Sequence, residues 1–288
     1  MEDASRLDFT TLQQQDLIYH APSQNHHSRN RQLLKIGAGL TAGITLPVVG
    51  AGLAAMKFST ALNSSMANVQ SLGLSSKRVD ELKKNVQSLA IEAGKSTATV
   101  SEGLYDLVSA FGDSAETADL LSINVKASAA GLSSVQEAIS LTSAITKGYN
   151  DTSAAAVQKA SDLAFMTVKL GQTTFPQLAA SMGTVVPLSK ELGVSQEELF
   201  SVFATATGVT GNAAAVSTQF RGVLQALLAP SKQMSQLMEA YGIKSGKAMI
   251  AQKGVAGSIK FITEKAKEVN MPLQNLIGSI EGQTIALA

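Results

Sequence analysis

The sequence holds few side chains that are able to carry out chemistry, and these do not form a catalytic pattern. Histidine, the usual general base near neutral pH, occurs three times, and His27 is the last of the three along the chain. His26 and His27 are adjacent in a polar segment, and two adjacent imidazoles without further ligands predict solvated side chains rather than a metal site. The chain has no cysteine, which excludes disulfides and thiolate metal sites and fits a reducing compartment without requiring one.

Carboxylates are the remaining acid–base candidates. Glu102, Asp106, Glu116 and Asp119 lie at predicted helix starts or on polar helix faces, where capping and solvation explain them. The sequence contains no GxxxxGK[ST] loop, no GxGxxG loop after a strand and no HExxH motif. We therefore predict that the chain is not an enzyme and that it has no catalytic residue, no cofactor and no metal.

The elements that would have to position such groups are built mainly from small and aliphatic residues. Hydrophobic residues make up 45% of the chain, but only 5% is aromatic and none is tryptophan, so the core is predicted to consist of Ala, Leu, Val and Ile. Charged residues make up 16%, below the roughly 25% of ordinary soluble domains. Such a surface is predicted to self-associate. The net charge of +1 and the lack of a dense basic face predict no specific nucleic-acid binding.

From residue 59 to residue 288 the apolar pattern is that of short amphipathic helices. Leu104, Leu107, Val108 and Phe111 follow the i, i+3, i+4, i+7 spacing of one helix face. A longer stripe continues for three turns and contains Val216, Phe220, Val223, Leu224 and Leu227. The fold class predicted from these patterns is all-α, as a bundle or a chain of short antiparallel helices.

Recurrent start and stop signals divide this region into helices. The patterns TVSE at 99–102, DSAE at 113–116 and SQEE at 195–198 predict capping boxes at helix starts. Stops are predicted at Gly94, Gly112, Gly131, the GYND cluster at 148–151, Gly171, Gly193, the GVTGN cluster at 208–212 and Pro230. The stretch MIAQKGVAG near Met249 is predicted to form a turn or a short extended piece.

Two further segments precede this region. Residues 1–34 are polar and lack a periodic apolar face, which predicts a disordered or loosely helical leader. Residues 35–58 are predicted to form a hydrophobic, small-residue helix, in which 36–56 would span roughly 31 Å. Its apolar gain of about 4 kcal/mol is nearly cancelled by one proline and several glycines. A tightly packed helix and a conditional membrane helix both remain open. The residues predicted to serve membrane insertion or helix packing are Ile36, Gly39, Leu40, Gly43, Ile44, Pro47, Val48 and Gly52.

Several stretches, taken in order, resemble the conserved core region of tail tape measure proteins from long-tailed bacteriophages and prophages. They are TLPVVGAGLAAMKFSTALNSSMANVQSLG, LKKNVQSLAIEAGKSTATVSEGLYDLVSAFG, SAAGLSSVQEAI and LGVSQEELFSVFATATGVTGNAAAVSTQFRGVLQALLAPS. The resemblance extends from Ile36 to Ala288. Its motif residues are Thr45, Leu46, Pro47, Gly208, Gly211 and Arg221.

The resemblance implies a structural protein that sets tail length during assembly. Its implied partners are the tail tube (major tail) protein, tail assembly chaperones, distal tail proteins, further copies of the chain and the host membrane. Its implied locations are the lumen of the virion tail tube, the host cytoplasm during assembly and the host membrane at infection. The chain is shorter than most family members and ends without a helix stop signal, so we expect a fragment, a split gene or a degraded prophage copy.

Two other classes of protein remain as alternatives on the residues alone. One is a helical membrane-active toxin or pore former, and the other is an unrelated helical scaffold. The pore former needs more than one membrane span, whereas only 36–56 reaches the required length.

Overall fold

The computed structural model describes residues 60–287, and all regular structure among them is helical. The all-α fold class is therefore confirmed over this part of the chain. The chain divides after Ser64, and the packing described below concerns the second unit, Ser65–Ala288. The helices are α1 60–70, α2 Ser76–Ala93, α3 Thr97–Phe111, α4 Thr117–Ala130, α5 Val135–Gly148, α6 Ala154–Leu170, α7 Phe175–Met182, α8 Val186–Leu192, α9 Gln196–Thr210, α10 Ala213–Leu228, α11 Lys232–Ala240, α12 Gly246–Glu268 and α13 Ile280–Leu287, with a 3-10 turn at Leu273–Asn275.

Alternate helices form two layers. Layer A contains α2, α4, α6, α9 and α12, and each of these packs against the next one in the series. Layer B contains α3, α5, α7, α10 and α13, which also pack in that order. The short helix α8 is inserted between α7 and α9 and packs on α5, α10 and α12. The predicted chain of antiparallel helices is thus a stack of helical hairpins, an arrangement similar to that of α-solenoids.

Neighbouring layer A helices run in the same direction. Arg78, in the first turn of α2, contacts Asp113 just before α4, and Glu92, near the end of α2, contacts Lys126 near the end of α4. The starts of α6 and α9 are likewise joined to the start of the preceding layer A helix, by Glu116 with Ala154 and by Lys159 with Glu197. The turns α2–α3, α4–α5, α6–α7 and α9–α10 therefore lie along one edge of the stack, which we call the A–B edge. The turns that return from layer B to layer A lie along the opposite edge, the B–A edge.

Glycines end most of these helices, as the sequence predicts. Gly94, Gly193 and Gly211 take left-handed backbone angles after α2, α8 and α9, with φ of 65°, 78° and 63°. Only glycine adopts this conformation without steric cost, and it allows the cap N–H to bond a carbonyl of the last turn. Gly112, Gly131 and Gly171 also occupy C-cap positions.

The predicted helix starts are only partly right. The capping box of α9 is present, with Ser195 and Glu198 each bonding the backbone N–H of the other. The prediction at 99–102 is wrong, because α3 begins at Thr97 and Ser96 caps it. The prediction at 113–116 is also wrong, because α4 begins after Glu116, which makes no side-chain cap bond. Asp113, the predicted capping residue, instead pairs with Arg78 in α2.

Two further capping boxes were not predicted. Ser134 and Glu137 form one at the start of α5, and Thr174 and Gln177 form the other at the start of α7. The stretch 249–257 is helical on both sides of Gly254, so the prediction of a turn or a short extended piece is right only for the break at that residue. It belongs to α12, in which Gly254 alone has non-helical angles.

The core between the layers is mostly aliphatic and rich in hydroxyl groups, but its largest fully buried side chains are Phe175, Phe200, Phe203 and Phe220, so the prediction of a core made of Ala, Leu, Val and Ile is only partly right. The whole predicted stripe of α10 is buried: Val216, Phe220, Val223, Leu224 and Leu227. Buried hydroxyls mostly bond a carbonyl one turn back in their own helix, and some of them join neighbouring helices, as Ser217 Oγ does by donating to the carbonyl of Ser181 at 2.9 Å. Thr167 Oγ1 lies 3.3 Å from the carbonyl oxygen of Phe200, and Thr142 Oγ1 donates to Asn124 Oδ1 at 2.8 Å. These bonds satisfy polar groups that would otherwise be costly to bury.

Candidate interaction surface

The motif glycines of the sequence analysis lie at the turn between α9 and α10. Gly211 caps α9 with its N–H bonded to the carbonyl of Thr207 at 2.8 Å. The carbonyl of Gly208 accepts a bond of 3.2 Å from Gln172, which ties this turn to the end of α6. Arg221 lies eight residues into α10, about 12 Å farther along that helix, so it does not share a site with the glycines. Its side chain is exposed.

A third glycine at this place has a role that the sequence reading missed. Gly171 was predicted only as a helix stop. In the structure a Cβ at this position would overlap Thr207 Oγ1 and lie 2.8 Å from the carbonyl oxygen of Ala204. Gly171 therefore allows the end of α6 to approach α9 closely, a packing role that the sequence does not distinguish from an ordinary stop.

The other predicted site residues lie outside the described residues. These are the membrane or packing residues Ile36, Gly39, Leu40, Gly43, Ile44, Pro47, Val48 and Gly52, and the motif residues Thr45 and Leu46. Within 60–287, no helix combines the length and apolar character needed to cross a membrane.

Exposed aliphatic side chains recur along the A–B edge. The exposed fractions are 82% for Ile91, 92% for Leu132, 49% for Leu170 and 73% for Val209. Each of the turns α2–α3, α4–α5, α6–α7 and α9–α10 contributes one of these side chains, within three residues of its glycine stop. An apolar side chain repeated at every turn costs solubility, so we take this edge as the candidate interaction surface.

Leu132 stands out among these side chains because its backbone is also unfavourable. Its φ is +50°, a left-handed conformation that leucine adopts only at a cost of about 1 to 2 kcal/mol. Gly131 precedes it, and a Cβ there would lie 2.8 Å from the ring of Phe175. The α4–α5 turn therefore combines a close approach to α7 with the most exposed aliphatic side chain of the edge.

At the B–A edge, charged groups join the successive layer A helices α2, α4, α6 and α9. Arg78 Nη2 lies 3.1 Å from Asp113 Oδ1 and donates to the carbonyl of Ser114 at 2.6 Å. Partial burial alone would raise the pKa of Asp113, but hydrogen bonds from Arg78 and Thr117 and the charge of Arg78 outweigh it. The pKa of Asp113 therefore lies below its ordinary value, which favours the ion pair at neutral pH.

The next helices along this edge are joined in the same way. Glu116 Oε2 accepts a bond of 2.9 Å from the backbone N–H of Ala154, the first residue of α6. Lys159 Nζ lies 2.6 Å from Glu197 Oε1 and links α6 to α9. Burial alone would raise the pKa of Glu197, but the hydrogen bond and charge of Lys159, a backbone hydrogen bond and the Ser195 hydroxyl together outweigh it, so the net pKa is lowered. These polar links fix the register between neighbouring hairpins.

The carboxylates singled out in the sequence do not converge on one site. Glu102 and Asp106 line a polar groove of about 450 Å³ beside Tyr105, and burial together with Glu102 raises the pKa of Asp106. Asp119 lies in a different groove, between α4 and α6, and Glu116 is engaged at the start of α6. Within residues 60–287 no three metal-ligating side chains form a cluster. The arrangement of these acids is that of helix caps and surface grooves.

Comparisons with known proteins give matches among phage tail proteins. A sequence profile of the family described as phage-related minor tail protein matches residues 83–279. A probable tape measure protein of Clostridium phage phiCD119 is 25% identical over 263 residues, which cover 88% of this chain and 27% of that protein. The tape measure protein of Pneumococcus phage Dp-1 is 24% identical over 215 residues, 73% of this chain and 18% of that protein. The chain thus spans about a quarter or less of these relatives. No solved structure matches it significantly.

Proposed function

Since the chain belongs to the family of phage-related minor tail proteins, we propose that it takes part in tail assembly and in setting tail length, as a region of a tape measure protein. The observation that carries this proposal is the similarity to two tape measure proteins over most of the chain. The helical fold supports it as well, because the rise of a helix converts a number of residues into a length.

The fold bears on how this region would measure length. In an extended helix each residue adds about 1.5 Å, whereas a hairpin in the two-layer stack adds only the spacing between packed helices, about 10 Å. The 37 residues from Thr117 to Ser153 form one hairpin with its following turn. They would therefore contribute about 55 Å to an extended ruler and about 10 Å to a stacked one.

The test is the deletion of residues 117–153 from an intact tape measure gene that contains this region, followed by electron microscopy of the tails. We expect shorter tails, by about 55 Å if the region is extended in the tail and by about 10 Å if the layers persist. A matched deletion of 37 residues from a helical stretch outside this region is the control. When the deletion yields no particles, duplication of 117–153 is tested instead, and it should lengthen the tails by the same amount. Viable particles that keep wild-type tail length in all these variants would refute the proposed role in setting tail length.

The partners and locations form part of the same proposal. We propose that the protein lies in the lumen of the tail tube, in contact with the tail tube protein and distal tail proteins and with other copies of itself. During assembly in the host cytoplasm it would be held by tail assembly chaperones. Action at the host membrane during genome entry rests on the apolar composition and length of 35–58.

A further inference from the structure

Helix α12 is broken at one residue. Gly254 has φ 67° and ψ −179°, angles that are nearly exclusive to glycine, and helix continues on both sides of it. The stretch 246–268 contains no proline, so nothing in its covalent structure prevents a continuous helix. The bend must therefore be maintained by contacts with the rest of the protein.

One carboxylate supplies the main contact at the break. The backbone N–H of Val255, the first residue after the break, donates to Glu198 Oε1 at 3.0 Å. A Cβ at position 254 would lie 2.6 Å from the same oxygen, so the carboxylate occupies space that only a glycine leaves free. The other oxygen, Glu198 Oε2, lies 3.4 Å from the backbone N of Ser195 in the capping box of α9. Glu198 thus accepts hydrogen bonds from backbone N–H groups at the start of α9 and at the start of the second half of α12.

Other contacts of α12 lie within the helix itself. Lys253 Nζ lies 4.8 Å from the ring centre of Phe261, across the break. Met249 and Ile250 before the break and Val255 after it are all buried, so each half packs its own apolar face.

We propose that Glu198 and Gly254 form a latch that holds α12 bent, and that release of the latch converts 246–268 into one continuous helix. In the released form Gly254 takes helical angles, and the 23 residues span about 35 Å. This conversion is a property of the protein itself. Only its role in a phage tail rests on the proposed function. Its test requires no tail, so the failure of either can be distinguished.

The experiment measures one distance within the purified full chain. Because the chain has no cysteine, the exposed Lys247 and Lys267 are replaced by cysteine and carry the only spin labels. These positions are 20 residues apart and would be about 30 Å apart along a straight helix. Pulsed electron–electron double resonance in the otherwise unchanged chain should give a shorter distance, because α12 is bent.

Two substitutions act on the latch from opposite sides. Gly254→Ala is incompatible with the bent backbone and leaves the capping box of α9 intact, whereas Glu198→Ala removes the acceptor of the Val255 N–H. Both should shift the main distance to about 30 Å while helical circular dichroism is kept. Glu198→Gln retains an acceptor oxygen and should keep the short distance. The matched control is Glu197→Gln, a neighbouring carboxylate that pairs with Lys159 and not with α12.

The result that supports the latch is a peak at about 30 Å in both Gly254→Ala and Glu198→Ala, with the short distance in the two glutamine variants. The proposal is overturned when both variants keep the short distance. It is equally overturned when they lose helical signal and give a broad distribution, because the latch requires that the rest of the fold survives the conversion.

Discussion

Gly103 provides a direct test of how closely the layer B helices pack. It lies within α3, where that helix crosses the start of α5, and a Cβ there would overlap Val135 Cγ1 and lie 3.2 Å from Val135 Cβ. Val135 is buried and follows the N-cap of α5, so it has little room to move away. The perturbation is Gly103→Ala, which sets helix propensity against steric overlap.

The two effects have opposite signs and different sizes. Replacing glycine by alanine within a helix gains up to about 1 kcal/mol. Forcing an extra methyl group into a packed core costs about 1 to 3 kcal/mol. The net expectation is a loss of about 1 to 2 kcal/mol in the free energy of unfolding. In a chain that already carries Val135→Ala, the overlap with Cγ1 is removed and only the 3.2 Å approach of the two Cβ atoms remains, so the same substitution should be close to neutral or slightly stabilising.

Urea denaturation followed by circular dichroism measures this cycle. The four proteins are the wild type, the two single variants and the double variant, and their coupling free energy should be about 2 kcal/mol. Gly183→Ala is the control, because Gly183 has helical angles and a Cβ there would meet no atom within 4 Å. Equal losses from Gly103→Ala in both backgrounds would show that α3 and α5 do not approach at this point. A change in the denaturant slope would instead signal a transition that is not two-state.

Two further predictions concern the two edges of the stack. Asp113→Asn should lower the free energy of unfolding by about 0.5 to 1 kcal/mol at neutral pH, a small value because the ion pair with Arg78 is partly exposed. Since the folded pKa of Asp113 is lowered, its contribution is complete above the unfolded pKa of about 3.9 and is lost as pH falls through the folded value. Urea denaturation should therefore show a smaller difference between wild type and variant at about pH 3 than at about pH 6. At the A–B edge, Leu132→Asn should reduce self-association in light scattering at micromolar concentration without loss of stability, because asparagine tolerates the left-handed backbone, while the exposed Thr205→Ser serves as control. A wild-type protein that remains monomeric over a hundredfold range of concentration would contradict the second of these.

Local features of this fold follow from the sequence because their causes are local. The stripe from Val216 to Leu227 is predicted by the helical period, and the structure buries all of it. Gly94 and Gly211 are predicted as stops because the left-handed cap requires glycine, and both take that conformation. The family, too, follows from ordered stretches of sequence and is confirmed by the profile match over 83–279.

Features that depend on distant residues were not predictable in this way. Asp113 matches a local cap, yet its partner Arg78 lies 35 residues earlier and prevails. The close approach of Gly171 to Thr207 is invisible in a pattern that treats every glycine as a stop. The hairpin repeat is obscured because α8 is inserted between α7 and α9 and the hairpins differ in length. The exposed aliphatic side chains of the A–B edge could not be predicted either. The helical period identifies Ile91 and Leu170 as apolar but does not show that they face solvent.

The stacking of hairpins has a mechanical consequence. When each hairpin is held mainly by its neighbours, a force applied to the two chain ends loads the terminal hairpins first and peels them away one after another. Every detached hairpin of about 40 residues would release on the order of 140 Å of extended chain. The resistance to pulling is then set by the weakest interface between hairpins rather than by the total stability, so this region would lengthen in steps under a modest load.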